Sequence, residues 1–121
     1  MNICSFTMLG ESEILLNVSV SAVNRGNVAK IILAIEGEGG SKVAAGIEVD
    51  FNHHKMTLDA IDVSVVGKAR ELVAQGMGFI TQSVLECKYA GAESPLKLIN
   101  MLGHRGHIIS SAISAVAARP A

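Results

Sequence analysis

Lys42-Val43-Ala44-Ala45-Gly46-Ile47-Glu48-Val49-Asp50-Phe51 decides the fold. Val43, Ala45, Ile47, Val49 and Phe51 alternate with Lys42, Ala44, Gly46, Glu48 and Asp50. This period of two sends one set to a buried sheet face and the other away from it. Upstream, Gly37-Glu38-Gly39-Gly40-Ser41 supplies turn chemistry, and Val28 to Glu36 reads as a strand burying Ala29, Ile31, Leu33 and Ile35. Ile31, Ile32 and Ile35 also fit a helix face, but β-branched content and flanking turns favour the strand. Asn24-Arg25-Gly26-Asn27 marks another turn. Before it, Ile14, Leu16, Val18, Val20 and Ala22 alternate with Leu15, Asn17, Ser19 and Ser21, and Asn2 to Met8 completes the set. Downstream, Asn52-His53-His54-Lys55 turns into a weaker strand, Met56 to Val63. Connections this short predict an antiparallel meander.

The period then changes. Val65, Ala69, Leu72 and Val73 recur at helical spacing, with Asp62 or Ser64 as N-cap and Gly76 as the stop. Phe79 to Tyr89 reads as a further strand, with Cys87 in phase with Phe79, Leu85 and Tyr89. Ser94-Pro95 is a cap-plus-proline start for a final helix with apolar Leu96, Ile99, Met101 and Leu102, then Ile109, Ala112, Ile113 and Val116. Gly103-His104-Arg105-Gly106-His107 interrupts it. The segment is either two helices with a corner at Gly103 or one helix packed very closely there. The expected class is α+β: a mainly antiparallel sheet of five or six strands, two or three helices on one face, and a single domain over residues 1–121.

Half of the 121 residues are hydrophobic, 17% are charged, and the mean hydropathy is +0.42. Average chains carry about 25% charged residues. The shortfall of polar surface predicts a homo-oligomer. No apolar run approaches a membrane span, and Met1 to Gly10 lacks the pattern of a signal peptide. Cys4 and Cys87 do not make a disulfide framework, which points to reduced thiols and a cytoplasmic address. With a net charge of −1 and scattered basic residues, nucleic acid is not an expected partner.

Chemistry could gather at two histidine clusters, His53-His54 and His104 with His107. The H-x-x-H spacing can place two imidazoles on one side of a helix turn. A third metal ligand would have to come from His53, His54 or an acidic residue, so no metal site is assigned. Gly103, His104, Arg105, Gly106 and His107 could instead hold a small anionic ligand, with backbone N–H groups at a helix start beside Arg105. Asp59 and Asp62 read as a cap and a solvated carboxylate. Gly37 to Gly40 matches no phosphate-binding pattern, and no cofactor is specified. Val28-Ala29-Lys30-Ile31 through Gly39-Gly40, with the Met101-Leu102-Gly103 corner, faintly resembles the formaldehyde-activating enzymes over about a third of the chain. Lys30 stands where that family has its functional histidine, so no activity carries over.

Two functions remain. One is a small oligomeric module binding a small ligand or a protein partner. The other is a small oligomeric enzyme using His53, His54, His104 or His107 for acid–base chemistry, with or without the help of a metal. They differ on whether the two histidine clusters meet.

Overall fold

The computed structural model describes residues 2–8, 14–23, 27–37, 40–67 and 70–117. Five strands, β1 (Asn2–Met8), β2 (Ile14–Val23), β3 (Val28–Gly37), β4 (Gly40–Asp50) and β5 (Lys55–Leu58), form one antiparallel sheet in the order β1-β2-β3-β4-β5. The helices follow: a single turn α1 (Val63–Val66), then α2 (Arg70–Tyr89), α3 (Pro95–His104) and α4 (Gly106–Ala117). The architecture is α+β, as the alternation implied.

Alternation becomes packing through cross-strand rows. Val20, Ile31 and Ile47 are neighbours across three strands, as are Val18, Leu33 and Ala45, and all six are buried. Burying one such aliphatic side chain stabilises by roughly 1.5–3 kcal/mol. On the other face Lys30 pairs with Glu48 at 3.5 Å, and Asn17 donates to Glu36 at 2.7 Å. The turn expected at Asn24 to Asn27 falls mostly outside the described residues, as do Glu38 and Gly39 of the next one. The flanking pairs Val23 with Val28 and Gly37 with Gly40 are in register.

One detail of the deciding stretch differs from its reading. The register of β3 with β4 shifts between Leu33 and Ala34, where Leu33 opposes Ala45 and Ala34 opposes Val43. Ala44 is the extra residue of a bulge, and the pleat changes sides there. Ala44 is therefore buried, and Val43, expected on the core face, is 55% exposed.

The second half departs further. Phe79 to Tyr89 is not a strand but the second half of α2, and Gly76 lies within that helix rather than ending it. Among the described residues, the buried hydrophobic side chains of α2 are Val73, Met77, Ile80, Val84 and Cys87, spaced by four and three residues as a helix requires. Gly76 tolerates its interior place because it faces α4, where an added Cβ would lie 3.6 Å from Ile113 Cδ1. The weaker strand ends at Leu58, because Asp62 begins a turn of helix: its carbonyl accepts from Val65 and Val66, and its carboxylate from Ser64. Of the two candidate caps for that turn, Asp62 takes the role.

Ser94 caps α3 by accepting from the Lys97 N–H at 3.2 Å, with Pro95 in the first turn. The last segment is two helices rather than one, and the corner expected at Gly103 falls two residues later. The helix breaks at Arg105 (φ −97°, ψ 0°), and Gly106 packs against β1 so closely that a Cβ would sit 2.3 Å from the Ile3 carbonyl oxygen.

Candidate functional site

The hairpin turn between β4 and β5 carries the first histidine pair. Asp50 organises it: Oδ1 accepts from the Asn52 and His53 N–H groups at 2.9 and 3.1 Å, and Oδ2 lies 2.8 Å from His53 Nδ1. The His53 hydrogen bond, reinforced by the two amides, holds the Asp50 carboxyl below its ordinary range. His54 closes the turn at φ 51°, in the left-handed region that is uncommon for a side-chain-bearing residue. Both imidazoles are exposed.

The second pair sits at the break between α3 and α4. His104 ends α3 and His107 opens α4, so the kink at Arg105 removes them from a common helical register. Both are exposed. Gly103 is exposed in the last turn of α3, and Gly106 is buried against Ile3. The Arg105 guanidinium bonds the Glu86 carboxylate of α2.

The regions that carry the two pairs contact α2 through side chains that leave it in different directions. Lys88 Nζ stands 5.0 Å from the centre of the Phe51 ring, at the start of the hairpin turn, while Glu86 reaches Arg105. Residues two apart on a helix project about 200° apart, across a body roughly 10 Å wide. Among the described residues no three His, Cys, Asp or Glu side chains gather as metal ligands. The cysteines are no better placed for chemistry. Burial pushes the Cys4 thiol up to about 11. It raises Cys87 as well, with Arg105 opposing the rise and Glu86 adding to it. Neither thiol favours the nucleophilic thiolate.

A surface that sequence reading did not anticipate lies between β5 and α2. It is a groove of about 590 Å³ lined by Leu58 and Ile61 on the strand side and by Ala74, Met77, Gly78 and Leu85 on the helix side. Asp59, Thr81 and Gln82 supply its polar groups. Thr81 returns its hydroxyl to the Met77 carbonyl at 2.7 Å, and Gln82 donates to Glu86. Leu58 is 52% and Leu85 45% exposed. One helical turn beyond Leu85, Tyr89 continues the same stripe at 95% exposure. The available signal was the i, i+4 pair Leu85 and Tyr89, apolar residues outside the arc that the core occupies.

No helix among the described residues is long and apolar enough to cross a membrane. Comparison with known proteins finds no matching family model, no similar curated protein and no similar solved structure.

Proposed function

We propose that this chain is a non-catalytic binding module that works as a homo-oligomer, with the groove between β5 and α2 as its binding surface. The observation that carries the reading is the groove itself. Its volume falls in the range of roughly 300–1,000 Å³ typical of binding pockets, and its walls are mostly apolar with a few polar groups. The exposed Leu58, Leu85 and Tyr89 concentrate apolar surface where an occupant would remove it from water. The anion reading of residues 103–107 is less favoured, because Arg105 is already engaged by Glu86. Acid–base catalysis by His53, His54, His104 or His107 has no gathered site to support it. Free Cys4 and Cys87 fit a reducing, cytoplasmic compartment.

Native mass spectrometry of the purified chain and of Leu85→Glu tests the reading. The wild type should carry an occupant, another chain or an apolar small molecule, that Leu85→Glu loses while its circular dichroism stays unchanged. A bare monomer for both proteins would overturn it.

A further inference from the structure

We infer that the occupant of the groove is a second copy of this chain, docked along α2 about a two-fold axis passing between Thr81 and Gln82. The inference rests on the binding-groove reading and names its partner. α2 presents Ala74, Gly78, Thr81, Gln82, Leu85 and Tyr89 on its outer side, at spacings of three, four and seven that keep them on one face. The order along that face is small, small, polar, polar, large, large. An antiparallel copy centred between Thr81 and Gln82 lays Leu85 of one chain over Gly78 of the other. The same axis lays Tyr89 over Ala74. Each protruding side chain meets a small residue twice, as a two-fold interface requires.

Two observations support a partner on this face. Gly78 interrupts the interior of a 20-residue helix, yet an added Cβ would meet nothing within 4 Å. The fold of one chain therefore gives no packing reason for glycine, whereas the incoming Leu85 does. From Ala74 to Leu85 the stripe has no charged residue, matching the charge depletion of interface centres. β5 flanks the helix contact as a four-residue edge strand starting at Lys55, the kind of short, charged edge that resists open-ended pairing. The contact is thus centred on the helix.

Sedimentation equilibrium of the full chain over a range of concentrations tests the inference. The wild type should reach about 25 kDa, twice the 12.6 kDa of one chain. Gly78→Leu should fold, since its side chain starts in open space and leucine is the better helix former. It should raise the dimer dissociation constant by roughly 30-fold or more, the scale of losing an interface hot spot. Gly78→Leu combined with Leu85→Ala, which exchanges large and small across the axis, should recover most of that loss. A wild type that stays at one chain's mass throughout, or a Gly78→Leu variant that dimerises like wild type, overturns the inference. If a monomeric wild type carries another molecule that Leu85→Glu releases, the groove reading stands and the second copy falls. If nothing binds to either, both fall.

Discussion

Gly106 of α4 and Ile3 of β1 meet backbone to backbone: a Cβ at Gly106 would lie 2.3 Å from the Ile3 carbonyl oxygen and 3.2 Å from Ile3 Cγ2. No side chain can occupy that space unless the helix or the strand moves. The contact seats α4 against the outermost strand, and the kink at Arg105 aims it there.

Gly106→Ala is therefore expected to lose about 1–3 kcal/mol of stability, the usual cost of overpacking against atoms that cannot turn aside. Gly76→Ala should behave oppositely, because its Cβ would reach ordinary contact with Ile113 at 3.6 Å while gaining up to about 1 kcal/mol of helix propensity. Urea titrations of the two variants check the contrast. Equal shifts in one direction would show that the close approach to Ile3 does not govern the site.

The α3 cap supplies a second measurement. Ser94→Ala removes the acceptor for the Lys97 N–H and should cost about 1 kcal/mol, whereas Ser94→Asp should stay near wild type. An alanine variant as stable as wild type would mean that Pro95 and the buried Leu98 and Leu102 alone set the start of the helix.

Two carboxylates should titrate low. Asp62 is held below its ordinary range first by the Ser64 hydroxyl at 2.6 Å and then by backbone amides, and Asp50 first by His53. A depressed folded-state pKa adds stability above the unfolded value of about 3.9. That contribution fades as pH falls through the lower folded value, so it is lost only in acid. NMR titration of the carboxyl carbons should show Ser64→Ala raising the Asp62 midpoint and His53→Ala raising that of Asp50. Unmoved midpoints would contradict these hydrogen bonds.

The thiols should be slow to react. Cys4 is raised to about 11 and Cys87 is raised and fully buried. A disulfide reagent at pH 8 should therefore modify the folded chain far more slowly than the chain in denaturant, where both cysteines become ordinary. Rapid labelling of the native protein would expose an opening of α2 or β1.

The sheet was legible because β2, β3 and β4 bury one face each, and burial on one face writes period two into the sequence. Leu16, Val18, Val20, Ala29, Ile31, Leu33, Ala45, Ile47 and Val49 all occupy the core as alternation implied. Val43 escaped, because a single extra residue at Ala44 changes the side of everything before it. The α2 error has a different origin. Phe79, Leu85, Cys87 and Tyr89 share odd numbers and mimic a strand. In the structure Cys87 faces the core while Leu85 and Tyr89 face outward. A helix apolar on two sides blurs the single stripe on which helix reading depends.

The candidate site was the least legible part. The histidines drew attention because imidazole chemistry is recognisable from residue type alone, yet their approach depends on tertiary placement. The groove consists of ordinary residues, and only the pairing of β5 with β4 and the seating of α2 bring Leu58 near Leu85. Asp59, read as a cap or a solvated carboxylate, is exposed at the groove's rim.

The order of elements has a consequence for biosynthesis. All five strands precede residue 59, and every helix that covers the sheet follows residue 62. A ribosome releases the whole meander, with Val20, Ile31 and Ile47 aligned on one side, before any of α2, α3 or α4 has emerged. At about 5–20 residues per second, that apolar face waits several seconds for its cover. The nascent chain is most in need of a chaperone during that interval, and slowing translation between residues 60 and 117 should increase aggregation more than slowing it earlier.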